Sequence, residues 1–252
     1  MGLVAMTLLS FIVKTTTTTE IPIVDNNHII RTMEASVSSP NPKDYVNDIE
    51  SLTYPQKAQI IREMITDEFE DCDPFVKQAV TLFGPKIILT CERKGYSTPG
   101  ERMAQLLLES SKVVNGQRAW SNLTLIHNNF GGVKAHKGAK STPALKTEEV
   151  FHGKRGVYRL KFAAFDNKWD GMEKYLKIVS MKRYRKAMKL QGASHFRALA
   201  NAGYCTEPPE SYAEKCMSLY ERYHLSKLNK ILESWKSNLD SGSGQLVQAS
   251  LH

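Results

Sequence analysis

Residues 98–111, TPGERMAQLLLESS, constrain the fold more than any other stretch of this chain. Thr98 is a residue type that caps helices, Pro99 suits the first helical position, and Glu101 follows Thr98 by three, as a capping box needs. Met103, Ala104, Leu106, Leu107 and Leu108 then cover most of a helical wheel. A helix apolar over that much of its girth belongs inside a core. The polar remainder is a narrow stripe, Arg102, Gln105 and Glu109, and the last two form an i, i+4 pair on one face. A carboxylate at the end of a buried helix, beside the polar Ser110 and Ser111, is expected to have a raised pKa, the setting of a general acid. The plainer expectation is that Glu109 lies on the wet side of an amphipathic helix, as most Glu residues do.

The chain has 252 residues, enough to bury a proper core in one or two domains. With 41% hydrophobic and 24% charged residues it is globular in composition. Its net charge of +8 is unevenly placed. Residues 1–80 hold 6 Lys and Arg against 12 Asp and Glu, and residues 81–252 hold 28 against 14. A basic body behind an acidic leader suits a polyanionic partner: nucleic acid, an anionic wall polymer or a membrane surface. The four cysteines, Cys72, Cys91, Cys205 and Cys216, form no CxxC pair and no zinc-like spacing with His. Cys205 and Cys216 could bridge in an exported protein; four buried thiols in a reducing compartment fit equally well.

In chain order, Gly2 to Val13 is an uncharged run of twelve residues. That is shorter than the roughly 20 residues of a membrane span, and it lacks the basic start and cleavage site of a signal peptide. It reads as a weak export signal or membrane anchor, or as a disordered or mis-assigned start. Thr15 to Thr19 and the polar stretch to about residue 40 read as linker. Residues 41–73 form an acidic helical leader, with Ala58, Ile60, Ile61, Met64 and Ile65 at helical spacing. The acidic run Asp67, Glu68, Glu70, Asp71, Asp73 lacks the glycine and alternating ligands of a calcium loop and reads as a solvated turn, so no metal is expected. Pro74 opens a helix expected to break at Gly84-Pro85 and resume to Cys91. Asn128, Asn129, Gly131 and Gly132 around Phe130 predict a turn with positive φ that pins Phe130 into the core. Thr147 to Phe165 predicts two strands joined across His152–Gly156. Helix is expected over Lys168–Lys189, Ser194–Ala202, Ser211–Tyr223 and Ser226 to about Leu239, before a flexible tail.

Several of these pieces resemble the glucosaminidase family of peptidoglycan hydrolases, glycoside hydrolase family 73. MAQLLLESS resembles the family's AQ-x-x-LES helix. NNFGGVKA resembles its N-x-FG-x-KA loop, KTEEVFHG a T-x-E-x-x-x-G segment, and GYCTEPPESYAEKC its GYATDP-x-Y-x-x-K segment. FAAFDNKWDGMEKYLKIVSMKRY resembles the intervening stretch, which ends on Tyr184. The four motifs occur in family order over roughly Phe75 to Leu225. After the acid the family often continues ES-G-W-G, whereas this chain has Ser110-Ser111-Lys112 and a longer run to Asn128.

The resemblance implies an α+β, mainly α fold: a lysozyme-like helical domain over residues 74–225 with a small β-hairpin lobe, followed by a C-terminal helix and tail over 226–252. It implies a cofactor-free, monomeric enzyme of the cell envelope or exterior that cleaves β-1,4 bonds of the peptidoglycan glycan strand, as an endo-β-N-acetylglucosaminidase does. Glu109 falls on the catalytic acid and Glu149 on the second carboxylate, with Glu148 beside it. Gln105, Asn129, Phe130, Gly131, Tyr184 and Tyr204 fall on the substrate. Two carboxyl groups, one protonated and one ionised, are what glycoside hydrolysis requires. A lytic transglycosylase or muramidase uses the same helix-borne Glu. A wall-binding protein without activity is a third possibility. A nucleic-acid-binding module rests on the charge of Lys182–Lys189 alone, without a recognised motif, so no nucleic acid is expected. Membrane association would run through residues 2–13.

Overall fold

The computed structural model describes residues 52–151 and 154–240. The apolar run at residues 2–13 and the linker lie outside them. Two compact units divide the chain, and nearly all described residues belong to the one that includes Thr53–Lys236. No described helix is long and apolar enough to cross a membrane.

Eight α-helices and two antiparallel hairpins make up the described residues, the mainly helical, lysozyme-like α+β class expected. Helix α1 (Tyr54–Glu68) opens on a capping box between Thr53 and Gln56 and buries Ile61 and Ile65. Helix α2 (Pro74–Lys94) is capped by Asp73, whose side chain accepts from the Phe75 and Val76 amides. The expected break at Gly84-Pro85 does not occur, and the helix runs through it. Pro85 deprives the helix of one hydrogen bond, at a cost of about 3 kcal/mol. Burial offsets it, since every residue from Phe83 to Cys91 except Lys86 is buried. Gly84 has a packing reason as well: a Cβ there would lie 2.6 Å from Ile65 Cδ1. Gly95 ends α2 at φ 66°, and the Tyr96 amide reaches back to the Cys91 carbonyl at 2.8 Å.

Helix α3 (Pro99–Ser110) is the central element, buried along its whole length except at Leu108. The expected capping box is not made: Thr98 forms no side-chain cap bond. Glu101 instead accepts from the Gly192 amide at 2.9 Å and from Asn229 Nδ2 at 3.0 Å. The Gly192 amide is an orphan donor at the start of another helix, so the carboxylate serves that terminus. Arg102 is buried too; its guanidinium lies over the Tyr96 ring, 5.2 Å from the centroid, with Nη2 2.6 Å from Met188 Sδ.

Strands β1 (Ser111–Val114) and β2 (Gln117–Trp120) follow α3 directly as a hairpin. The sequence reading assigned no strand here. The turn is Asn115-Gly116, both at positive φ (51° and 79°), the type I′ pattern that matches strand twist. Helix α4 (Asn122–His127) is capped by Ser121 and ends on Asn128 at φ 50°. The Asn-Phe-Gly-Gly turn forms as expected, with Gly131 at φ 76° and Gly132 at φ 60°. Phe130 packs edge-on against Phe83 and Trp120.

The β-lobe pairs β3 (Leu145–Phe151) with β4 (Lys154–Leu160) across residues 152 and 153, a shorter connection than expected. Helix α5 (Lys168–Val179) stops well before Lys189, and the chain continues as two 3₁₀ turns, Lys182–Tyr184 and Ala187–Lys189. Gly171 on α5 touches the Asn-Phe-Gly-Gly turn; a Cβ there would overlap the Asn128 carbonyl oxygen. Helices α6 (Gly192–Asn201) and α7 (Pro209–Arg222) pack together, and α7 also packs on α3. Helix α8 (Ser226–Asp240) supplies Leu228, Ile231, Leu232 and Trp235 to the core.

Candidate active site

Glu109 sits in the last turn of α3 and is 5% exposed, so it does not lie on a wet face. Helix α3 runs through the core, α7 lies against it, and the carboxyl therefore faces protein. Tyr212, from the first turn of α7, donates to Oε1 at 3.3 Å. Oε2 is buried without a hydrogen-bond partner. Burial raises the carboxyl pKa well above its ordinary value; the Tyr212 hydroxyl opposes this, Glu207 adds to it, and Lys215 opposes it. Desolvation is the largest cause, as in a general acid held neutral near pH 7.

Around the carboxyl stands a set of phenols. Tyr204 packs edge-on against Tyr184 at 5.8 Å and, tilted at 44°, against Tyr212 at 5.9 Å between ring centres. Tyr175, from α5, donates to Gln105 Oε1 and to the Arg102 carbonyl, both at 3.2 Å. Burial pushes the pKa of Tyr175, Tyr204 and Tyr212 well up, so each remains a neutral donor. Gln105 Nε2 and Tyr204 Oη are buried and unpartnered, like Glu109 Oε2. Such groups are rare in native cores and costly unless something pairs with them. Here they gather on adjoining side chains.

The turn after α4 closes on the same place. The Gly131 amide donates to Ser110 Oγ at 3.3 Å. A Cβ on Gly131 would sit 2.8 Å from the Tyr175 ring and 3.7 Å from Tyr204 Oη. Glycine is needed here both for its positive φ and for the close approach. Asn129 has a different task. Its Nδ2 donates to the Val133 and Ala163 carbonyls at 2.8 and 2.7 Å, and its Oδ1 accepts from the Val133 amide at 2.8 Å. Asn129 and Phe130 thus spend their side chains inside the protein, holding the turn in shape.

Of the predicted residues, the structure brings Glu109, Gln105, Gly131, Tyr184 and Tyr204 together. Glu148 and Glu149 lie on β3 opposite Val157 and Gly156, with their side chains outside what the structure describes. Sequence reasoning missed Tyr212 and Tyr175. The signal for Tyr212 lay in the Y-x-x-K part of the GYCTEPPESYAEKC segment, where Tyr212 and Lys215 stand one turn apart. All four cysteines are free thiols; Cys91, Cys205 and Cys216 are buried, and burial pushes Cys205 up to about 12. Among the described residues no cluster of His, Cys, Asp or Glu could hold a metal ion.

The Tyr212→Phe variant removes the bond that favours the charged carboxylate. Glu109 is therefore expected to titrate at a higher pH than in the native protein, by carbon NMR of labelled Glu. A downward move, or none, in a folded variant rules out this account of the contact.

The family model described as mannosyl-glycoprotein endo-beta-N-acetylglucosaminidase matches residues 89–225, more than half of the chain. The chain belongs to the glucosaminidase family. The matched glucosaminidase region contains Glu109, Gly131, Tyr175, Tyr204 and Tyr212. The chain is similar to the exo-glucosaminidase LytG of Bacillus subtilis (strain 168), 29% identical over 185 residues. That alignment covers 68% of this chain and spans 58% of the relative's length. Among solved structures, a peptidoglycan hydrolase from Sphingomonas sp. A1 is 24% identical at a TM-score of 0.45, covering 60% of this chain and 96% of the other. The catalytic domain of the autolysin Auto of Listeria monocytogenes is 18% identical at a TM-score of 0.48, covering 82% of this chain and 99% of the other.

Proposed function

We propose that this glucosaminidase is a hydrolase of the cell envelope or exterior that cuts β-1,4 bonds in the glycan strand of peptidoglycan, with Glu109 as general acid. The observation that carries this reading is the carboxyl of Glu109, buried at the end of α3, desolvated, and held by one phenol with its second oxygen unpartnered. Protonated, it delivers its proton to the glycosidic oxygen as the bond to the sugar breaks. Glu149, on the β-lobe, takes the role of base or electrostatic stabiliser of the developing oxocarbenium ion. The acetamido group of an N-acetyl sugar can share that task. Gln105 and Tyr204 offer unpartnered polar groups to the sugar's hydroxyl and acetamido groups, Tyr184 packs beside Tyr204, and Gly131 lets its turn approach the Tyr175 ring closely.

Product analysis tests this. Purified peptidoglycan is digested and the fragments are weighed by mass spectrometry. New reducing ends are expected on N-acetylglucosamine. New ends on N-acetylmuramic acid would identify a muramidase, and anhydro-muramyl ends a lytic transglycosylase. The Bacillus subtilis relative, named as an exo-glucosaminidase, supports a second reading in which this chain trims from strand ends. Rapid shortening of long strands marks the endo mode, and release of small fragments from intact strands the exo mode.

A further inference from the structure

On the flank of α3 lies a shallow depression of about 370 Å³, open to solvent, that the chemistry above does not use. Leu108 and Leu219 give it apolar lining, Arg118, Lys215 and Arg222 three cationic groups, and Glu214 one carboxylate. Lys215, Leu219 and Arg222 recur at i, i+4, i+7 and share one face of α7. Arg118 comes from β2, where Nη1 donates to Ser111 Oγ at 2.6 Å. Arg118 Nε is buried and has no hydrogen-bond partner. Lys215 is ion-paired with Glu207. Neither Arg118 nor Arg222 has an acidic partner in the ion pairs among the described residues. Arg118 and Arg222, outside those ion pairs, outnumber the one lining carboxylate, Glu214, and beside Leu108 and Leu219 they suit an anion with planar oxygens and a short apolar stem.

The hollow is coupled to the site in place and in charge. Leu108 adjoins Glu109 in α3, and Lys215 lies one turn from Tyr212 on α7. Glu207 and Lys215 both act electrostatically on Glu109. An anionic group seated here would lie on the same two helices, α3 and α7, that carry Glu109 and Tyr212. We infer that this pocket is a subsite for the carboxylate-bearing peptide carried by the glycan strand, with Arg118 and Arg222 as its anion-binding groups. This rests on the peptidoglycan-hydrolase reading. A phosphate of a wall polymer shares the oxyanion chemistry, so the test separates the two sources.

Initial cleavage rates are compared on intact sacculi, on sacculi stripped of peptide by an amidase, and on sacculi stripped of phosphate polymer by acid. The native protein is expected to favour peptide-bearing over peptide-stripped strands by about tenfold, the worth of one charge-assisted hydrogen bond. Removal of phosphate polymer should change nothing. The Arg222→Glu variant, at an exposed position on α7, should bring the preference close to one, and Arg222→Lys should retain most of it. Arg118→Gln should lower it too, and a melting curve checks that its hairpin is intact. A native preference of one, a preference that follows phosphate instead of peptide, or an unchanged preference in Arg222→Glu overturns the proposal. Binding is read separately, by titrating the free peptide L-Ala–D-Glu–diaminopimelate–D-Ala and its carboxyl-amidated form while observing the Arg Nε–H signals by NMR. Selective binding of the acid form supports the subsite even if no strand is cut, in which case the hydrolase reading alone fails. Absence of such binding overturns the subsite even if strands are cut.

Discussion

Glu109→Gln is expected to lower the rate of strand cleavage by about 10²–10⁴-fold, the usual worth of a positioned acid. The amide keeps the shape and the contact with Tyr212 but has no proton to give. Binding to wall material should persist, since the change removes no charge present at the working pH. In the native protein the rate should fall as pH rises through the raised pKa of Glu109, because the proton is then lost. The same variant is expected to be more stable than the native protein at neutral pH. Burial raises the carboxyl pKa, so the folded state holds the proton more tightly than the unfolded chain. As pH climbs above the unfolded value of about 4.3, the native protein loses stability until the folded pKa is passed. Gln has no such loss. The melting temperatures of the two proteins should therefore coincide in acid and separate as pH increases. A variant that still lyses walls at the native rate, or that melts lower at neutral pH, contradicts the role given to this side chain.

Gly171→Ala should unfold the turn beside the acid without touching the acid. The added methyl would overlap the Asn128 carbonyl oxygen and lie 3.2 Å from Phe130 Cδ2. The obstacle is backbone, so no side-chain rotation relieves it. Overpacking of this kind costs on the order of 3 kcal/mol. For a unit of this size that corresponds to a drop in melting temperature of about 6–12 °C. Cleavage should fall with it, because Gly131 belongs to that turn and the Tyr175 ring it touches belongs to α5, the two elements forced apart. A variant with native melting and native rate would mean that α5 and the turn can slide apart freely.

The burial of α3 was legible because its apolar residues nearly encircle the wheel, and the Asn-Phe-Gly-Gly turn because only positive φ explains that residue set. Other features depended on partners distant in the chain. Gly84-Pro85 breaks a helix in isolation; it does not here, because Ile65 needs the space at Gly84 and the surrounding core holds both sides. Glu101 is placed for a capping box, but the amide of Gly192 and the amide group of Asn229 draw it away. Asn115-Gly116 is a different case: the turn was readable from two residues, and the polar surroundings hid it. Tyr212 was marked by its Y-x-x-K spacing, but its link to Glu109 depends on α7 lying against α3.

The joint at Glu101 bears on the order in which the molecule is assembled. The three segments that meet there are separated by 91 and 128 positions along the chain. Gly100 adds a third tie, its amide donating to Asn229 Oδ1 at 2.8 Å. During synthesis from the N-terminus the acid-bearing segment emerges early, yet its first turn is not fastened until residue 229 has left the ribosome. The boundary of the family match at residue 225 falls just short of that point. A fragment trimmed to the match would contain every residue assigned to the chemistry and would lack the clasp that orients them.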